Sequence, residues 1–365
     1  MASSSFVVSS AVRHAQRARN ATTLAGLSAP FCDWSIIGLR AAQVGSTPSL
    51  PSFVLLFSSF WLNPEHSCPV LSKPHWPTSV QLRKSYSYQM VLVEEIPTQT
   101  YHRKRVRVVI FCMLDGVRPD AIMAANCPTL RQLIACGAST MQAQSVMPSI
   151  TLPCHMSIFH SVPPSRHGIT ANLYQPMARP LPGLVEAARA AGKRSAFIYN
   201  WEPLRDLSRP EMLAYSRFYE IPHTAEADQG VADEAVCVVA NNEFDFVFVY
   251  FGSVDLAGHG YGWMSPEYLG QLERVDSLLG HVVAAMPPDA SLITQADHGG
   301  HERGHGTTMS EDMTIPWMTI GPTIRQGHTI TTPVSLLDTA PTILHLMGVP
   351  QPEAWEGRVV AEMFS

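Results

Sequence analysis

Charge is scarce in this sequence: Asp, Glu, Lys and Arg make up 15% of 365 residues, with 25 basic against 30 acidic side chains. A formal balance of −5 excludes a basic domain built to hold nucleic acid, and 46% apolar content excludes a mostly disordered chain. Long hydrophobic runs are missing too. None reaches the roughly 18 residues that a membrane-spanning helix needs, the longest candidate being the short stretch from Val54 to Leu62. Seven cysteines are too few for a disulfide framework, and their odd number leaves at least one unpaired. What remains is a globular enzyme or binding protein with enough chain for one large core. Nothing in the sequence specifies an oligomeric state.

Acid is nearly absent from the first quarter. Between Met1 and Val93 only Asp33 and Glu65 face Arg13, Arg17, Arg19, Arg40, Lys73, Arg83 and Lys84. This Ser- and Pro-rich segment shows no sustained helical or alternating period, so residues 1–100 read as a presequence or disordered extension. Its Arg- and Ser-rich opening has the make-up of an organellar transit peptide. The alternative is translation from Met90, which would give a cytoplasmic protein. Residues 101–365 carry 18 basic and 26 acidic side chains, a net of −8, and 12 of the 15 histidines.

In this second part, apolar runs recur at Val106–Leu114, Ser195–Tyr199, Phe244–Phe251, Ser291–Thr294 and Trp317–Ile320. Such runs suit strands buried on both faces of a sheet. Helical patterns fall between them at Pro128–Cys136, Leu184–Ala191, Ala225–Val239, Pro266–Ala285 and Ser335–Met347. The alternation predicts an α/β fold, a sandwich around a largely parallel central sheet. Ligands of such sheets bind beyond the carboxyl ends of the strands.

Three apolar runs end in similar chemistry. The first leads into Asp115-Gly116, the third into Asp255 with His259 after it, and the fourth into Asp297, His298, His301 and His305. Carboxylates gathered at one sheet edge repel, and a cation between them relieves that. Asp115, Asp255, His259, Asp297, His298 and His305 are therefore the candidate ligands, with His301 in reserve. Mixed carboxylate and imidazole donors suit zinc or a similar ion, and six ligands exceed one four-coordinate site. Two divalent ions about 4 Å apart follow. Taken singly, Asp115-Gly116 could be a turn, Asp255 a helix cap and His259 a loop residue.

Thr151 precedes Leu152-Pro153 and an apolar stretch, where a helix would begin with Pro153 in its first turn. A hydroxyl there lies beside free backbone N–H groups and the positive end of the helix dipole. It could be a plain N-cap. Beside two metal ions it becomes a candidate nucleophile.

Together LDGVRPD, TLPCH…RHGITAN, SVDLAGHGYG and ADHGG…GHGT resemble the alkaline phosphatase superfamily, and within it the type I phosphodiesterase/nucleotide pyrophosphatase branch. The resemblance spans nearly all of residues 106–365. It implies an alkaline-phosphatase-like three-layer fold, and residues 101–365 as a catalytic metallo-phosphodiesterase domain. It further implies one zinc on Asp255, His259 and His305, and another on Asp115, Asp297 and His298. Thr151 is then the nucleophile, bridging toward the second zinc, and Asn172 binds a phosphoryl oxygen through its amide. The implied reaction is hydrolysis of a small-molecule phosphodiester or pyrophosphate through a phospho-threonine, with no nucleic-acid surface and no membrane span.

The pattern departs from the branch in two places. Leu152 stands where an aromatic commonly stacks on a nucleotide base, and Cys154 replaces an asparagine. Tyr199 or Trp201 could supply another aromatic wall. Only Tyr174–Asn241 is available for a substrate-covering insertion, so any cap is small. A phosphomonoesterase using Arg166 or Arg118, or a metal-binding module without turnover, are the alternatives. A sulfatase signature would need Cys or Ser at Thr151 and Arg at His155.

Overall fold

The computed structural model describes residues 108–220 and 226–365. The extension at 1–100, His102, His223 and the first residues of the strand predicted from Val106 lie outside them. Eight strands form one sheet: β1 (Val109–Leu114), β2 (Ala138–Gln144), β3 (Ser195–Tyr199), β4 (Tyr215–Phe218), β5 (Phe246–Phe251), β6 (Ser291–Gln295), β7 (Thr314–Ile320) and β8 (His328–Thr329). Their order is β4-β3-β5-β1-β6-β7-β2-β8. Only the two ladders of β7, to β6 and to β2, are antiparallel. The sheet is thus largely parallel, as the alternating pattern predicted.

Eight α-helices of more than one turn accompany it among the described residues: α1 (Pro119–Ala124), α2 (Pro128–Cys136), α3 (Thr151–His160), α4 (Leu184–Ala190), α5 (Gln229–Asn241), α6 (Ser253–Tyr261), α7 (Pro266–Ala284) and α8 (Thr339–Leu346). Helices α1, α2, α5 and α6 pack on α7, while α4 and α8 pack on α3. These two groups are the outer layers of a three-layer sandwich. The stretch after Tyr174 supplies β3, β4, α4 and α5 to the sandwich itself. Any cap is therefore small.

Every residue of β1, β5 and β6 is buried, which is why β1 and β5 read as unbroken apolar runs; β6, SLITQ, buries polar residues as well. Helix α3 is buried along its whole length. Its Phe159 meets Phe248 edge-to-face at 5.0 Å and Phe197 at 5.4 Å. Such pairs are worth about 0.5–1.5 kcal/mol beyond their buried area, and here they fix α3 over β3 and β5.

Some elements differ from the sequence expectations. Strand β2, ASTMQAQ, is half polar, and the outer half of the strand has an exposed face. Edge strand β4 is mostly exposed, and α6 carries two glycines. None of the three has a clean apolar period. The helix expected at Ser335–Met347 divides into a 3-10 turn, Leu336–Asp338, and α8. Pro341 has no N–H to give the Leu337 carbonyl, which accepts the Ser161 hydroxyl instead at 2.7 Å. Helix α5 starts at Gln229, four residues later than the pattern suggested.

Candidate active site

β1 pairs in parallel with β5 on one side and β6 on the other. The carboxyl ends of three neighbouring strands therefore open at one edge, carrying Asp115, the α6 residues Asp255 and His259, and Asp297-His298. A loop brings in His305. All six predicted ligands meet there.

They form two overlapping groups. Asp115, Asp297 and His298 offer atoms within 4.8 Å of one another, as do Asp255, His298 and His305. In the first group His298 Nε2 is 3.3 Å from Asp115 Oδ1 and from Asp297 Oδ2. Beside the second, His259 Nε2 stands 3.2 Å from His305 Nε2 and 3.5 Å from Asp255 Oδ2. Each imidazole gives its other nitrogen to a backbone carbonyl: His298 Nδ1 to Gly299 at 2.8 Å, His305 Nδ1 to Ser149 at 2.8 Å, His259 Nδ1 to Arg303 at 3.0 Å. Those carbonyls can only accept, so every Nδ1 carries a hydrogen, and in the neutral ring Nε2 presents a lone pair.

Carboxylate oxygens and imidazole Nε2 atoms thus converge on one space. Among the described residues, no donor reaches the buried atoms Asp115 Oδ1, Asp255 Oδ1 and Asp297 Oδ2. Orphaned buried acceptors around one space cost free energy unless a cation joins them, so the donor set fits two divalent ions. Burial, followed by repulsion from Asp297 and Asp255, raises the Asp115 carboxyl. Burial also raises Asp255 and pushes Asp297 up to about 7, while it lowers His305 to about 3. A proton held on Asp297 near neutrality must leave when a cation binds. Metal affinity is accordingly expected to fall by up to about tenfold per pH unit for each displaced proton below neutrality. Chelator competition between about pH 5.5 and pH 8 measures this.

Thr151 is the first residue of α3, and Ile150 rather than Thr151 occupies the N-cap position. Its hydroxyl is therefore free of a capping role, and Oγ1 lies 3.2 Å from His298 Nε2. Asn172 Oδ1 accepts the Leu152 N–H at 2.9 Å, one of the helix's first-turn donors. That bond fixes the orientation of the carboxamide and leaves Nδ2 as its remaining donor.

Other sequence candidates go elsewhere. His301 pairs with Asp312 at 2.7 Å, and Asp312 also accepts the Thr307 N–H and hydroxyl. That clamp holds the loop carrying His305. Arg166 pairs with Glu356 and Arg118 with Asp120, so both guanidinium groups are already engaged. Leu152 is fully buried, which closes the position expected to face a base. Tyr199 is a core residue with its ring tilted against Phe218, and Trp201 packs partly buried against the core.

Two site neighbours had no sequence signal. Tyr250 donates to Asp115 Oδ2, yet in the run FVFVYF it looks like any strand aromatic. His155 donates from Nδ1 to the Thr151 carbonyl at 2.8 Å and lies 3.6 Å from Asp297 Oδ2. Only its spacing of one helical turn from Thr151 could have suggested it.

A family model described as type I phosphodiesterase/nucleotide pyrophosphatase matches residues 109–309. The human GPI ethanolamine phosphate transferase 2 catalytic subunit is 26% identical over 263 residues, covering 67% of this chain and 27% of the relative. The 2,3-bisphosphoglycerate-independent phosphoglycerate mutase of Acinetobacter baylyi is 31% identical over 160 residues, or 41% of this chain and 27% of the mutase. The chain thus spans about a quarter of the length of these curated relatives. Among solved structures, murine ectonucleotide pyrophosphatase/phosphodiesterase 5, an inactive variant in complex with AMP, superposes with a TM-score of 0.60 at 16% identity. It covers 71% of this chain and all of that one. At that identity the likeness shows the alkaline-phosphatase-like fold alone.

Proposed function

The chain belongs to the type I phosphodiesterase/nucleotide pyrophosphatase family, and on that premise we propose that it hydrolyses phosphodiester or pyrophosphate bonds through Thr151 with two divalent ions, zinc by preference. The observation that carries this reading is the Thr151 hydroxyl, which makes no capping bond at the start of α3 and instead meets His298 Nε2 at 3.2 Å, at the edge of the carboxylate and imidazole cluster. Asp115, Asp297 and His298 would hold one ion; Asp255, His259 and His305 would hold the other. Bound there, the ions would supply positive charge that favours ionised Thr151 and neutralises the phosphoryl oxygens.

Thr151 Oγ1 attacks phosphorus in line, a P–O bond to the leaving alcohol or phosphate breaks, and a phospho-threonine forms. Water then takes the phosphoryl group and restores the hydroxyl. Asn172 Nδ2 donates to a non-bridging oxygen as charge builds on it. Removing one such donor typically costs 10²–10³ in kcat, so Asn172→Ala is expected to lose about that much with little change in KM. Steady-state kinetics on bis-p-nitrophenyl phosphate reads it. Arg118 and Arg166 are both paired to carboxylates, which weighs against the monoester reading. The family assignment and the place of the Thr151 hydroxyl against His298 favour turnover over a binding module. Comparing bis-p-nitrophenyl phosphate, p-nitrophenyl phosphate and p-nitrophenyl sulfate, each with and without chelator, tests the assignment. Activity on none of them sinks it.

The transferase among the relatives carries a second reading, in which an alcohol takes the group from the phospho-threonine instead of water. Product analysis with added ethanolamine or glycerol separates the two.

A further inference from the structure

Helix α6 carries both Asp255 and His259, yet it has poor means of holding its own start. Its N-cap is Gly252, which has no side chain to accept the first-turn N–H groups, and Gly258 and Gly260 lie within it. Unpaired N–H groups in a buried helix start require an outside acceptor. Asp228 provides one from 24 residues upstream. Its side chain is fully buried and accepts the Gly252 N–H at 3.1 Å, the Ser253 N–H at 3.2 Å, the Ser253 hydroxyl, and Asn200 Nδ2 at 2.6 Å.

Asp228 occupies the N-cap position of its own helix, α5, but its carboxylate makes no capping bond there. A residue type well suited to capping its own helix thus serves another one instead. Gln271 of α7 adds a second tie, donating from Nε2 to the Ser253 hydroxyl at 2.7 Å. Asp255 stands two residues beyond this anchored Ser253, and His259 one further turn along the same helix. The opposite group, Asp115 and Asp297-His298, is carried by the ends of β1 and β6.

We infer that Asp228 is a positioning residue for one of the two metal sites: it pins the start of α6 so that Asp255 and His259 face His305. The inference rests on the two-ion reading above. Outer supports of metal ligands typically contribute 10–100-fold in affinity. Asp228→Asn keeps the volume but puts an amide donor against the donors of Gly252, Ser253 and Asn200.

The test is zinc titration of the metal-free protein against a chromogenic chelator, resolving both binding steps. The wild type is expected to bind two ions. Asp228→Asn should bind one as before and the other about 10–100-fold more weakly. Adding Asp228→Asn to Asp255→Asn should then cause little further loss, whereas adding it to Asp297→Asn should cause the full loss. Equal weakening of both ions, or no weakening, overturns the role of Asp228 while leaving the two-ion reading standing. A wild type that binds no zinc overturns that reading instead, and this inference with it. If Asp228→Asn does not fold, Ser253→Ala, which removes one donor from the network, must show the same one-site weakening in smaller degree or the inference fails.

Discussion

Thr151→Ala is expected to lower kcat on bis-p-nitrophenyl phosphate by at least about 10³-fold while leaving zinc stoichiometry unchanged, since losing a nucleophile removes the chemical step rather than binding. The side chain is almost fully buried and makes no capping bond. Losing its buried methyl and its bond to His298 should cost roughly 1–2 kcal/mol of stability, and the melting temperature checks that. Thr151→Ser keeps a hydroxyl at the same place and should recover part of the rate. Wild-type turnover in Thr151→Ala would assign the attack to water and end the phospho-threonine scheme. Trapping the phosphorylated residue by acid quench and peptide mass spectrometry tests the same step independently.

Stripping metal should have the second large effect. Activity is expected to disappear with a strong chelator and return with zinc, and the metal-free protein should melt at a lower temperature. A ligand present at 100 times its Kd adds about 2.7 kcal/mol to the folded state. The same cluster predicts a less intuitive result. At about pH 8, with metal removed, Asp297→Asn should be more stable than the wild type by roughly 1 kcal/mol or more, because it deletes one of three mutually repelling carboxylates. With zinc present the order should reverse. Thermal melts of both proteins, with and without zinc, decide it. A metal-free Asp297→Asn less stable than the metal-free wild type would mean that the carboxylates are not destabilising one another.

The sheet's centre was legible because β1 and β5 are buried on both faces, which writes an unbroken apolar run into each. The outer strands were not legible. β2 and β4 each have a wet side, and no apolar period survives the mixture. Helix α6 was hidden for a related reason: its start is secured by Asp228, a contact no local pattern records. The six candidate ligands could be picked out because strand ends concentrate chemistry in parallel sheets, and the structure brings all six together. Leu152 shows the opposite case. Its place after Thr151 suggested a substrate-facing position, but the turn of α3 sends it inward to the core. His155 and Tyr250 touch the cluster from elements whose apolar surroundings disguised them.

The three imidazoles are steered by the peptide carbonyls of Gly299, Ser149 and Arg303. A side-chain prop can be lost by a single substitution, whereas a carbonyl stays whatever residue bears it. Ring orientation and tautomer in this cluster should therefore tolerate replacement of Ser149 or Arg303, provided the path of the chain is kept. The vulnerable element is the course of the loop, which a deletion or a proline could alter. For redesign toward another ion, ligand identity can be varied while the scaffold that aims the rings is left untouched.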